Sequence, residues 1–164
     1  MDRRNRGRRL SPTVRKTLLT THVVSSVGLL GTDAAVLALV VAGWGGSEPL
    51  TVYPAAYLLG QALIVPLALL ALTTGVALGL LTPWGLLRHW WILIKLLLTA
   101  GGTVLAVFVL VPTLDAAATE ALARRALSDP FALVKDSGGA CVVLLVTILL
   151  AYFKPFGRLR RRYR

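Results

Sequence analysis

Four long apolar runs, at 18–44, 55–81, 90–111 and 139–153, occupy more than half of this chain and constrain its fold more than any other feature. A helix of about 20 mainly apolar residues crosses the hydrocarbon core of a bilayer, where only helices and closed barrels pair every backbone amide away from water. The first three runs reach that length. The fourth is shorter, flanked by Asp136 and Lys154, and is expected to span by snorkelling of Lys154 and by recruiting Ser137 or Phe156 at its ends. Soluble core helices are a poor alternative. With 56% hydrophobic residues in 164, too little polar surface remains to face water.

Charge placement sets the expected orientation. Arg3, Arg4, Arg6, Arg8, Arg9, Arg15 and Lys16 precede the first run, Lys154, Arg158, Arg160, Arg161, Arg162 and Arg164 follow the last, and Arg88 lies between the second and third. Four spans place all of these on one side. The other side receives Glu48 in one loop and, in the second, Asp115, Glu120, Asp129 and Asp136 against Arg124, Arg125 and Lys135. The positive-inside rule then puts both termini in the cytoplasm. The expected organisation is a tail over 1–16, an all-α four-helix membrane domain over 17–156, and a tail over 157–164. Its spans lie near 18–44, 55–81, 90–111 and 138–156, with an extracytoplasmic loop over 112–137.

A net charge of +11 raises nucleic-acid binding as a possibility. The basic clusters abut helix ends, however, where they orient the protein and meet anionic headgroups at about 1 kcal/mol per side chain. The tails lack interleaved aromatics apart from Tyr163, so the expected partner is an anionic bilayer and not nucleic acid. The first run is too long for a signal-peptide core and reads as a retained span. Cys141, the only cysteine, excludes an intramolecular disulfide and multi-cysteine metal sites. With Met1 the only methionine, a Met-rich copper site is not expected. Asp2 and the Arg161 to Arg164 ending match neither myristoylation nor prenylation signals.

Gly43, Gly45, Gly46, Pro49 and Pro54 predict a tight, largely irregular first loop, and Thr82, Pro83, Trp84 and Gly85 a turn. The stretch 116–127, rich in Ala and Leu with Arg124 and Arg125, predicts a short helix lying on the membrane surface and ending before Pro130. Pro66 should bend the second span. Ala71, Gly75 and Gly79 recur at helical spacing in that span, and Gly101 and Gly102 sit in the third, where small residues let helix backbones approach. The second and third runs share composition without an aligned motif, so an inverted-repeat transporter is not expected.

Polar residues inside the spans are the functional clues. His22, Ser26, Leu29 and Asp33 are separated by four, three and four positions and share one helix face. The rise per residue sets His22 and Asp33 roughly 16 Å apart along the axis, too far to bond. Lys95, Thr99 and Gly102 share a face of the third span. A polar layer of His22, Ser26, Thr73, Thr74, Lys95 and Thr99 is expected in the cytoplasmic half, with Gln61 and Asp33 as a smaller outer group. Each has a plainer reading: Lys95 as a snorkelling lysine, His22 as an interhelical hydrogen bond. Asp33 resists one, since a carboxyl at that depth must be neutral, paired or in contact with water. His22 and His89 are the only histidines and raise bis-histidine haem b, although Trp90 and Trp91 beside His89 read more simply as an interfacial aromatic belt.

Three stretches carry a resemblance: Thr21, His22, Val23, Val24, Ser25, Ser26, Val27, Gly28, Leu29, Leu30 and Gly31; Thr82, Pro83, Trp84, Gly85, Leu86, Leu87, Arg88, His89, Trp90 and Trp91 through Lys95, Leu96 and Thr99; and Tyr152, Phe153, Lys154, Pro155, Phe156 and Gly157. Together they resemble a family of small bacterial integral membrane proteins of unknown function, over most of the chain except the tails and the outer loop. The resemblance implies a four-helix membrane domain and no particular activity. Leu29 stands where that family tends to have Trp, and Asp136 and Ser137 where it often has His and a small residue, which weakens the haem reading.

The expected protein is therefore a non-enzymatic, polytopic bundle of a bacterial plasma membrane. It acts by helix association, as a homo-oligomer or as a small subunit of a membrane complex, and needs no cofactor. The alternatives are movement of protons or a small solute along the intramembrane polar groups, with dimerisation needed to build a path, and haem-dependent electron transfer.

Overall fold

The computed structural model describes residues 11–81 and 90–153, with side chains from 92 onward in the second stretch. Its elements are α1 (Pro12–Trp44), α2 (Pro49–Leu59), a π-helical turn (Gly60–Ile64), α3 (Val65–Leu81), α4 (Trp90–Leu105), a second π turn (Ala106–Leu110), α5 (Val111–Leu122) and α6 (Pro130–Phe153). Each π turn joins its two neighbours into one continuous rod. The chain is thus all-helical over the described residues, with four helical rods long and apolar enough to cross a membrane. They run up and down, so the first and last rods begin and end at one end of the bundle, here the terminal end. The two short connections described, 45–48 and 123–129, lie at the opposite, loop end.

Local chemistry explains the boundaries. Ser11 caps α1 by accepting from the Val14 N–H at 3.3 Å, and Pro12 occupies the first turn, where its missing N–H costs nothing. At the other end of α1, Gly46 takes φ +97°, a conformation that side-chain-bearing residues rarely adopt. The second rod starts at Pro49, six residues before the expected span. The irregular loop expected through Pro54 is therefore only four residues, because Pro49 initiates a helix that buries Val52, Tyr53 and Ala56. Gly43 makes room for this turn: a Cβ there would stand 2.7 Å from the Tyr53 hydroxyl.

The third rod also outruns its expected end. The stretch expected to lie on the membrane surface instead continues the rod as α5 and ends at Leu122, five residues short of the predicted 127. Its Leu114, Ala117, Ala118 and Ala121 recur at helical spacing and are buried, with α5 packed along α2. An apolar stripe of small residues is better satisfied against another helix than among headgroups. Beyond it, Arg124 adopts φ +52°, and the Ser128 backbone N–H and hydroxyl both donate to the Glu120 carboxylate. Asp129 then accepts from the Ala132 N–H at 2.9 Å, and α6 starts at Pro130 instead of near 138, which brings Lys135, Asp136 and Ser137 into the helix.

The tightest packing lies toward the loop end, where Val36, Val40, Tyr53, Ala56 and Leu114 are almost wholly buried. The outward faces are apolar instead: Val23, Val24, Val27, Leu58, Leu97 and Phe108 are all at least half exposed. A belt of that kind suits lipid and not water.

Candidate functional site

Two polar groups form inside the bundle, one toward the terminal end and one near its middle. In the first, the His22 ring reaches from α1 to α3. Its Nδ1 lies 3.0 Å from the Ala71 carbonyl oxygen and 3.1 Å from Thr74 Oγ1. A carbonyl only accepts, so Nδ1 carries the proton and Nε2 is left as the acceptor of the neutral ring. Thr74 in turn donates its own proton to the Leu70 carbonyl at 2.5 Å. Gly75 makes this approach possible, because a Cβ there would stand 3.0 Å from His22 Cε1. Lys95 of α4 is partly buried and lies within electrostatic reach of the ring.

The expected layer is smaller than predicted. Thr73 is exposed on the outer face and donates to the Leu69 and Leu70 carbonyls of its own helix. Ser26 is half-buried; the hydroxyl that turns inward belongs to Ser25, which is 1% exposed and donates to the His22 carbonyl at 3.1 Å. The buried face of α1 runs Ser25, Leu29, Asp33, Val36 and Val40, a sequence signal that the choice of Ser26 overlooked.

In the second group, Asp33 is 1% exposed and neither carboxyl oxygen has a hydrogen-bond partner. The Cys141 thiol of α6 lies beside this carboxyl, as a weak donor that does not reach hydrogen-bond geometry. One turn earlier on α6, the Ser137 hydroxyl is fully buried and also without a partner. Sequence reasoning used Cys141 only to exclude a disulfide and multi-cysteine metal sites and placed Ser137 at the end of a span, although the two are four residues apart and share one face of α6. Gln61 does not join Asp33: it is exposed on the first π turn, facing out of the bundle, because that turn commits Gly60 and Ile64 to the interior.

Asp33 also forms part of the wall of a cavity of about 280 Å³ bounded by all four rods. Leu29 contributes from the first, Ile64 and Ala68 from the second, Thr99 and Leu110 from the third, and Leu144 from the fourth. Most of the lining is apolar. Thr103 and Thr147 are buried hydroxyls in its wall, each donating at 2.8 Å to a carbonyl of its own helix, Thr99 and Leu144 respectively. At the loop end the lining includes Lys135 and Asp136, paired at 3.7 Å.

The small residues divide. Gly75 makes room for His22, and a Cβ on Gly102 would stand 3.9 Å from Val143 at the cavity wall. Gly101 does not serve packing within this chain: it is exposed, and a Cβ there would meet nothing within 4 Å. Gly79 is half-buried in α3. Among the described residues no three His, Cys, Asp or Glu side chains cluster as metal ligands. His89, the second histidine of the haem reading, lies outside the described residues, as do the expected turn at Thr82 to Gly85, residues 1–10 of the first basic tail and all of the second; Arg15 and Lys16, expected in the first tail, belong to the opening turns of α1. Comparison of the chain with protein-family models, curated proteins and solved structures found no match.

Proposed function

We propose that this chain is a non-enzymatic protein of a bacterial plasma membrane, with both termini cytoplasmic, that takes a proton or a small solute into its bundle at the cavity beside Asp33. The observation that carries the reading is the carboxyl itself. A buried acid without a hydrogen-bond donor, set in the wall of a space shared by all four rods, is costly to maintain for packing alone. Thr99 and Thr103 continue the polar positions from Asp33 toward Lys95 and His22, and Lys135 and Asp136 stand at the other end. Basic residues at 3–16 and 154–164 support the orientation through the positive-inside rule and contact with anionic lipid. Flux of protons into proteoliposomes tests the reading directly: wild type should conduct and Asp33→Asn should not, and equal flux in both would remove Asp33 from the path.

A second reading, association with a second copy or with another membrane subunit, is favoured by the outward glycines. Gly31, Gly101 and Gly139 are exposed, and a Cβ at each would meet nothing within 4 Å, so their faces are open to a neighbouring helix. The two readings are compatible, since a path through four rods gains walls on dimerisation. Sizing the complex in mild detergent checks it; a monomer without any partner refutes it.

A further inference from the structure

We propose that the cavity beside Asp33 binds a hydrophobic amine, a compact apolar molecule carrying one ammonium group, with the ammonium seated on the Asp33 carboxyl. The inference rests on the cavity being the working site and adds the chemistry of what enters it.

Size and lining limit the ligand first. A space of about 280 Å³ lies near the lower bound of ordinary small-molecule sites, about 300–1,000 Å³. Its walls include Leu98, Leu105, Ala106, Val143 and Leu144, so the body of the ligand must be hydrocarbon. The polar groups then select the head. Both Asp33 oxygens lack a donor and lie just under the cavity surface, with almost no accessible area of their own, so the carboxyl must turn toward the space to receive the head. Thr103 and Thr147 have given their protons to the Thr99 and Leu144 carbonyls, so toward the cavity their oxygens can only accept. A lining whose polar atoms accept and do not donate calls for a donor-rich head, and an ammonium brings three N–H donors and no acceptor.

Charge points the same way. Lys135 and Asp136 pair with each other, which leaves Asp33 as the acid of the lining without a partner. Lys95 is not among the residues that line the cavity. An anionic ligand would meet a like charge in a medium of low dielectric, and a neutral hydrocarbon would leave the carboxyl unpartnered. A monocation satisfies both terms.

Two probes of equal shape test this on the full chain in detergent: adamantylamine, cationic at neutral pH, and adamantanol, its neutral counterpart. The amine should raise Tm by about 5 °C or more at roughly 100 times its Kd. The alcohol and the Asp33→Asn variant should each bind about tenfold more weakly or worse. Gly102→Phe is the second variant. Gly102 lines the cavity, and an added Cβ would make only an ordinary contact, 3.9 Å from Val143, so the ring should enter the space, abolish binding and leave the bundle folded. Equal binding of amine and alcohol, or undiminished amine binding by Asp33→Asn, overturns the amine and leaves the cavity as an apolar site. Binding that survives Gly102→Phe places the probe elsewhere and overturns the inference. No binding of either probe to wild type overturns both the amine and the cavity reading. If Asp33→Asn fails to fold, the pair of probes with Gly102→Phe still decides.

Discussion

Gly75→Ala should change sign with its background, and His22 is the reason. In a helix interior, alanine in place of glycine is worth about 1 kcal/mol of stability. Here the added methyl would stand 3.0 Å from Cε1 and 3.5 Å from Nδ1 of His22. The ring cannot simply move aside, because Nδ1 is held by the Ala71 carbonyl at 3.0 Å and Thr74 Oγ1 at 3.1 Å. Displacing it weakens interhelical hydrogen bonds worth roughly 0.6–2 kcal/mol in a membrane protein and adds overpacking of about 1–3 kcal/mol. These terms exceed the propensity gain. Gly75→Ala should therefore destabilise the wild type by about 1 kcal/mol and stabilise His22→Ala by about 1 kcal/mol, a coupling of roughly 2 kcal/mol. Reversible unfolding in mixed micelles of all four proteins of the cycle measures it. The same stabilisation by Gly75→Ala in both backgrounds would show that the glycine does not exist to seat the imidazole.

Three further outcomes follow from other parts of the bundle. Leu114 is wholly buried and lies 3.0 Å from where a Gly60 Cβ would stand, so Leu114→Ala should cost about 2–5 kcal/mol, and Gly60→Ala should be tolerated better in that background than alone; chemical unfolding of the single and double variants checks both. Arg124 holds φ +52° at the end of α5, and Arg124→Gly should raise stability by up to about 1 kcal/mol, a fall refuting strain at that residue. A short tag inserted at the exposed Ala126 should be reached by impermeant reagents from outside the cell, with a reporter after Arg164 active inside; Ala118, although in the same loop by sequence, is 4% exposed against the bundle and should not accept a tag.

Hydropathy made the four rods legible, because apolar length is all that a membrane span requires of a sequence. It could not mark where the rods leave the hydrocarbon. Tyr53, Leu114, Ala117 and Ala121 look like loop or surface residues by position, yet they form the tightest part of the packing, since a helix once started by Pro49 or continued past Pro112 buries whatever apolar face it carries. The polar sites were half legible. Periodicity found His22 and Asp33 on one face of α1 and Thr74 on α3, but a single helix gives no information about the azimuth of its neighbours. Thr73 and Thr74 are adjacent and only packing decides which turns inward. Ser137 and Cys141 were hidden because residue 137 was placed at the start of a span instead of well inside a helix.

The cavity itself has a cause that sequence reasoning recognised only in part. Pro66 was expected to bend its span, whereas Pro112 was assigned to a loop; both in fact follow a π turn, with the Val65 N–H bonded to the Gly60 carbonyl and the Val111 N–H to that of Ala106. A proline ring crowds the carbonyl four residues before it, and a turn widened by one residue relieves that crowding. The signal is a short repeat, Leu63, Ile64, Val65, Pro66 and Val109, Leu110, Val111, Pro112, in rods that run in opposite directions. Each wide turn contributes to the cavity wall, through Ile64 in one and Ala106 and Leu110 in the other. A widened turn shifts the side chains after it off the ridge set by those before it, so the third rod, which packs along α6, cannot keep one continuous register with it. Small residues beside an undisturbed register draw helices together, as Gly75 does at His22. Beside a disturbed one they leave space, as Gly102 does, and that space falls against Asp33.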